Sequence, residues 1–419
     1  MVYKYISIKT LILFMAVFFI GKGCQFIIPI ILGNFLKPEE YGLIEFSMSI
    51  GLLTVSVVSM GSNAFISRAI VKKERWIKLN DVKLYLLLIS SVLTLFFLFL
   101  HLINSLEILK YSLAFSAVLL LQGGLSVELK SRAKRESAMI LDIILWLAIL
   151  LGVLLYYFKL VSGLFNALLL IILSYYTILA ISFLRSIQFK DFSFNLVSSL
   201  YFLEGPKIVI ISLIGTLVAT AGQLIIGNSF GISAVGEYSS LYRIAIFPII
   251  IHQIIMIYFY RTSFSPSREQ FLLLANTVFL IVLLVSLISW TIADFLTPFL
   301  GSAFAMSYKT YPVAFTAMMI SIPFWSATSV NEIAYSQKVS SIYPVLSSII
   351  YLIAIYVVTT FFVDFDSLEN AAIFISLVII GYYLINSLCL ISAGVKIAKI
   401  PIIFGIGFAV TELYVFLVF

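Results

Sequence analysis

The chain has 419 residues, of which 62% are hydrophobic and 11% charged, against about 45 to 50% and about 25% in a soluble domain. This excludes a soluble globular protein, a disordered chain, a collagen and a coiled coil, and leaves a polytopic membrane protein. The formal net charge of +7 would suggest nucleic acid in a soluble chain. Here the position of each charge carries its meaning, and nucleic acid is not an expected partner.

A hydrocarbon core about 30 Å thick needs roughly 20 apolar residues of helix. In chain order, runs of that length fall at 10–35, 42–66, 84–104, 111–129, 138–158, 163–184, 206–229, 235–260, 270–293, 308–329, 342–363 and 370–392, which makes twelve. The first run passes Gly21-Lys22-Gly23-Cys24, which superficially resembles a lipoprotein signal. A lysine two places before the cysteine, and the continuation of the run to Phe35, make it a full span instead. Between the sixth and seventh runs, Phe189, Phe192, Leu196, Leu200 and Leu203 recur at spacings of three and four. That spacing predicts an amphipathic helix over 185–205 lying on the inner leaflet. The last apolar stretch, 401–419, is interrupted by Glu412 and is either a thirteenth span or a helix packed at the edge. Cys24 and Cys389 both lie in apolar runs and read as small buried residues.

With the N-terminus inside, 20 Lys and Arg fall on cytoplasmic segments and only Lys37, Lys110, Lys159 and Lys309 on the other side. This bias predicts a cytoplasmic N-terminus, and it also accounts for the basic run at Lys130 to Arg135. The longest outer segment, 294–307, leaves no room for a folded outer domain.

The chain repeats itself. Ile31-Leu32-Gly33-Asn34 with Gly42 recurs as Ile225-Ile226-Gly227-Asn228 with Gly236, at an offset of 194 residues. Six spans per repeat is an even number, so the halves run parallel about an axis along the membrane normal. The expected fold is all-α: a six-helix bundle over 1–184, the linker helix at 185–205, a second six-helix bundle over 206–392, and a hydrophobic segment at 393–419. Such a pair of bundles encloses a central cavity and moves by rocking, which favours a transporter.

The stretch Lys37-Pro38-Glu39-Glu40-Tyr41-Gly42, with Gly61 and Arg68, resembles the first helical hairpin of the Wzx polysaccharide flippases in the MOP exporter superfamily. Ala234-Val235-Gly236-Glu237-Tyr238 and the stretch from Leu300-Gly301 to Tyr308 are similar to further parts of that family. The resemblance implies a non-enzymatic flippase that moves undecaprenyl-pyrophosphate-linked oligosaccharide across a bacterial inner membrane, from a cavity between spans 1, 2, 7 and 8. It also implies a polysaccharide polymerase and a chain-length regulator as partners, besides membrane lipids. One departure stands out: Thr220, Gly222 and Gln223 occupy the part of span 7 where many relatives carry an acid.

Charges inside the membrane cost at least about 2.5 to 3.5 kcal/mol each and mark functional sites. Lys22 and Arg243 are the two deep cations, and together they form the expected site for an anionic headgroup. Gln25, Asn34, Asn63, Gln223, Asn228 and Tyr242 are the expected partners of the sugar hydroxyls. The competing reading has Lys22 snorkelling and Arg243 pairing with Glu45 or a carbonyl to fix helix packing. No nucleotide-binding loop, metal cluster or other cofactor site is present in the sequence, which leaves an ion gradient, the membrane potential or removal of product to drive transport. Of these, an H+ or Na+ gradient is the expected driving force, with Glu45 and then Asp142 as coupling carboxylates. His252 reads either as a satisfied core histidine or as a proton relay. Two alternatives remain open: a MATE-like multidrug exporter and a membrane polysaccharide polymerase.

Overall fold

The long apolar runs fold as helices because, away from water, a helix satisfies every backbone amide and carbonyl within its own segment. The computed structural model describes residues 8–74, 77–103, 107–187, 205–258, 268–337, 349, 351–353, 355–356, 365–395 and 397–418. The linker helix expected at 185–205 and the span expected at 342–363 lie almost wholly outside the described residues. So does the side chain of Lys22.

The first half comprises α1 (Ile8–Phe35), α2 (Pro38–Val58), α3 (Ser62–Ser67) with a π-helical turn at Arg68–Lys72, α4 (Leu79–Leu102), α5 (Glu107–Ser131), α6 (Arg135–Tyr157) and α7 (Leu164–Ser186). The second half has α8 (Gly205–Phe230), α9 (Ile232–Ala245), α10 (Ile249–Tyr258), α11 (Arg268–Thr291), α12 (Ala293–Leu300), α13 (Ser302–Thr310), α14 (Pro312–Gln337), α15 (Leu368–Ser392) and α16 (Lys399–Val418). Among the described residues every regular element is helical. Among the described residues ten helices are long and apolar enough to cross a membrane, or eleven if α9 and α10 form one span. The chain is a multi-pass membrane protein.

Three stretches differ in detail from the expected spans. The run at 42–66 stops at Val58, because Met60 and Gly61 take positive φ angles of 46° and 75° before the chain resumes as α3. The run at 235–260 is broken into α9 and α10, which meet at a bend of 61°. Pro248 sits in the break and has no amide hydrogen to continue the ladder. The segment 294–307, expected to be an aqueous loop, is mostly helical, as α12 and α13. At the C-terminal end α16 is long and apolar enough to cross the membrane, and it packs on α15.

Among the described residues two large hydrophobic cores form, one centred in each half, with a small cluster around Leu390 and Ile397 beside them. Leu86, Phe115, Leu121, Ile149 and Ile172 are among the centre of the first, and Val278, Phe279, Phe315, Phe324 and Ile380 among the centre of the second. Phe18, Phe26 and Met139 of the first half belong to the second core and bind the halves together. The principal contact between halves is α2 against α9, supported by α2 against α8 and α1 against α9.

Candidate functional site

The site is built where α2 and α9 cross near their N-terminal ends. A methyl group on Gly42 would overlap the carbonyl oxygen of Ile232, and one on Gly236 would overlap that of Pro38. Only glycine lets two helix backbones approach so closely. The contacts are reciprocal, because 38 and 232, like 42 and 236, differ by the repeat offset of 194. Gly33 and Gly227 behave alike: the first faces Ser240 and the second faces Phe46, again 194 residues apart. A local two-fold relation therefore links the two hairpins at their closest approach.

One turn along from this crossing lies an ion pair that joins the halves. Arg243 of α9 donates from Nη2 to both oxygens of Glu45 on α2, at 2.8 and 2.6 Å, and from Nε to Oε1 at 3.1 Å. Tyr41, one helical turn before Glu45, donates its hydroxyl to Oε1 at 2.9 Å. Glu45 is 2% exposed and the Arg243 side chain 15%. The guanidinium carbon sits 4.8 Å from the ring centre of Trp146 on α6, in cation–π geometry. Arg243 belongs to the second half, yet its carboxylate and its ring both come from the first. A charge this deep needs such pairing, since an isolated ion is expensive to hold away from water.

Asp142 lies one turn before Trp146 on α6 and pairs with Lys130 of α5 at 2.9 Å. Both carboxylates expected to couple an ion are therefore held by cations. Tyr242 is buried and stacks on Tyr238 with ring centres 5.9 Å apart. Gln223 is buried on α8, whereas Asn63 and Asn228 are exposed and Gln25 is half-buried. Asn63 lies on α3, beyond the end of α2 that is opposite Gly42, so the expected sugar-contacting residues do not form one cluster. Lys22 lies on α1, one residue past Gly21, which packs against Ile143 of α6. Among the described residues no group of three His, Cys, Asp or Glu side chains is placed to hold a metal ion.

Asn34 has a role that its place in the repeat did not predict. Its amide nitrogen donates to the Leu300 carbonyl at 3.1 Å, and its oxygen accepts from the Ala303 backbone amide at 3.1 Å. It thereby clips the end of α1 to the junction of α12 and α13 in the other half. Gly301, at φ 94°, leaves the space that the Asn34 side chain fills. Neither Tyr41 as a partner of Glu45 nor Trp146 was among the site residues expected from the sequence. The one-turn spacing from Glu45 is a signal for the first, whereas the approach of Trp146 to Arg243 and the Asn34 clip, spanning 266 residues to Leu300, have none.

The profile of a family described as polysaccharide biosynthesis protein matches residues 7–264. No curated protein matches the chain significantly by sequence. Solved structures share its fold at low identity. The lipid II flippase MurJ, in an inward closed conformation, superposes with a TM-score of 0.59 at 15% identity, covering 97% of this chain and 92% of that one. The MATE multidrug transporter DinF-BH gives 0.59 at 16% identity, over 91% and 96%. A MOP superfamily transporter from Pyrococcus furiosus gives 0.56 at 14% identity, over 95% and 94%. The fold is that of the MOP superfamily transporters.

Proposed function

The chain belongs to the polysaccharide biosynthesis protein family, and from that premise we propose that it is a flippase for undecaprenyl-pyrophosphate-linked oligosaccharide. The observation that carries this reading is the combination of that family's sequence profile with a fold shared by a lipid II flippase. The multidrug transporters share the fold equally well, so it is the family match that favours a polysaccharide-linked substrate over a drug.

In this reading the protein sits in a bacterial inner membrane with its N-terminus in the cytoplasm, and works beside a polysaccharide polymerase and a chain-length regulator. The two halves rock about the crossing of α2 and α9. Arg243 presents a planar fork that suits two phosphate oxygens as well as it suits the carboxylate of Glu45. An entering pyrophosphate competes with Glu45 for that fork, with Lys22 supplying a second positive charge. Loss of the Glu45 contact loosens α2 from α9 and allows the halves to part. Gln25, Gln223 and Tyr242 meet the sugar on the way, together with Asn63 and Asn228. Asn34 contributes once its clip to Leu300 and Ala303 has opened. An H+ or Na+ gradient drives the cycle.

The test is the fate of the lipid-linked oligosaccharide in a deletion strain. It should accumulate in the inner leaflet and return to normal when the gene is restored; normal flipping in the deletion strain would remove the proposal.

A further inference from the structure

The last helix, α16, turns most of its apolar side chains outward: Ile403, Ile406, Val410 and Leu413 are all exposed. Glu412 points the other way and is 5% exposed. Its Oε1 lies 2.7 Å from the hydroxyl oxygen of Ser376 on α15, and that same hydroxyl lies 2.9 Å from the carbonyl oxygen of Ala317 on α14.

Counting protons across these three groups shows what a protonated acid gains. A serine hydroxyl has one hydrogen to give, and a carbonyl has none. The Ala317 carbonyl and an ionised Glu412 carboxylate would both only accept, so the single Ser376 hydrogen can serve only one of them. A hydrogen on the carboxyl is what lets both contacts be made at once. With the acid protonated, the Glu412 O–H donates to Ser376 Oγ and the Ser376 O–H to Ala317 O; with the acid ionised, the Ser376 hydroxyl donates to Glu412 Oε1 and the Ala317 carbonyl loses it. The other carboxyl oxygen, Oε2, is buried and has no partner among the described residues. A neutral acid tolerates that far better than a carboxylate does.

Among the described residues, the helices around Glu412 bring no cation to it. The helices packed on α16 are α15, α14 and α11. The membrane stretches Leu272–Thr291 of α11 and Pro312–Asn331 of α14 contain no titratable side chain. From α15 come Glu369, Tyr382, Tyr383 and Cys389, and from α16 itself Lys399 and Tyr414. Glu369 is seven residues from Ser376, about 10 Å along the helix, and accepts from the Val313 amide. Lys399 is 13 residues before Glu412, about 20 Å away along the axis. Glu45 and Asp142 each have a cation within 3 Å; Glu412 has only a hydroxyl.

We propose that Glu412, Ser376 and the Ala317 carbonyl form a proton-binding site within the membrane, and that its proton leaves and returns as α14, α15 and α16 shift against one another. The site lies wholly in the second half, apart from the Arg243–Glu45 pair. It gives the protein a group that reads a proton gradient without passing charge through the substrate site. Its chemistry does not depend on which lipid is carried.

Infrared spectroscopy of the purified full-length protein in lipid nanodiscs, without sugar lipid and without sodium, tests this directly. At neutral pH the wild type should show a protonated-carboxyl C=O stretch that moves in heavy water and is lost in Glu412→Gln. Raising the pH should bleach that band, with one titratable proton per chain fewer in the variant. Ser376→Ala leaves the carboxyl in place and should shift the band, because its hydrogen-bond acceptor is gone. Identical wild-type and Glu412→Gln spectra would overturn the proposal, as would a band unmoved by Ser376→Ala. So would a carboxylate band that responds to added sodium and not to pH. No oligosaccharide enters the measurement, so its failure leaves the flippase reading standing, and the deletion-strain result leaves this one untouched.

Discussion

Glu45 and Ser239 occupy equivalent places in the two halves, 194 residues apart, and only Glu45 is charged. The partner of Glu45, Arg243, is likewise equivalent to Ser49. The glycine contacts at the crossing obey the two-fold relation, whereas the ion pair beside them breaks it. Ser239 is fully buried with no partner for its hydroxyl among the described residues. Two serines thus stand where symmetry would have placed a second ion pair. In the proposed flippase reading, a single off-axis pair would leave one cation fork for one anionic headgroup.

The ion pair inside the first half gives a stability prediction. Lys83 on α4 pairs with Glu128 on α5 at 2.8 Å and donates to Ser186 on α7 at 3.3 Å. Arg132 also reaches Glu128, at 3.0 Å, from a half-exposed position. Glu128→Gln strands a buried ammonium and should cost about 3 to 5 kcal/mol. Lys83→Met should cost clearly less, because Arg132 remains on the carboxylate. Thermal unfolding of the two variants in detergent checks the order; equal losses would contradict it.

The clip at Asn34 predicts a cross-link. In a background with Cys24 and Cys389 replaced by serine, Asn34→Cys with Ala303→Cys should react readily with a short bifunctional thiol reagent. The product holds α1 to the α12–α13 junction, so surface polysaccharide should fall to the level of a deletion strain. Cleaving a reducible reagent should restore it. Unchanged polysaccharide in fully cross-linked cells would mean that this end does not open.

Much of this architecture was legible because length and hydropathy are local properties. Most of the expected spans coincide with described helices, and the 194-residue offset marked the glycines that meet at the crossing. Pro248 was visible in the eighth run, but the bend needed the structure, since a proline in a membrane helix can also be absorbed without a break. Helices α12 and α13 escaped notice because neither has enough apolar residues to register as a span. The partner of Arg243 was one of two readings, and choosing between them required bringing together residues 198 apart. Glu412 could be seen to interrupt an apolar run, but not which neighbour it faced.

Tyr311 predicts a pH dependence at the end where α13 meets α14. Its hydroxyl donates to Glu237 at 3.1 Å, and burial, with that carboxylate beside it, holds the phenol above its ordinary range. A group whose pKa is raised by folding contributes stability below its unfolded value, about 10 for tyrosine, and loses that contribution as pH rises through the folded value. Stability should therefore be flat on this account through neutral pH and fall in strong alkali. Tyr311→Phe should flatten the alkaline slope; an unchanged slope would show that the Glu237 contact is not maintained.

The Arg243–Glu45 pair separates a packing role from a binding role. Either Glu45→Gln or Arg243→Gln alone leaves a buried charge without its partner, and each should cost about 3 to 5 kcal/mol. The double variant, Glu45→Gln with Arg243→Gln, removes both charges and lets two amides face each other across the same gap. It should recover most of the lost stability, because replacing a whole buried pair by neutral groups is often close to neutral. If the pair serves only packing, the double variant should also recover surface polysaccharide. If Arg243 holds the pyrophosphate, the double variant should fold and insert yet make no polysaccharide. Arg243→Lys should then restore only part of it, since an ammonium lacks the planar fork. Thermal stability in detergent and polysaccharide blots from the same four strains decide the matter, and wild-type polysaccharide in the double variant would end the headgroup assignment.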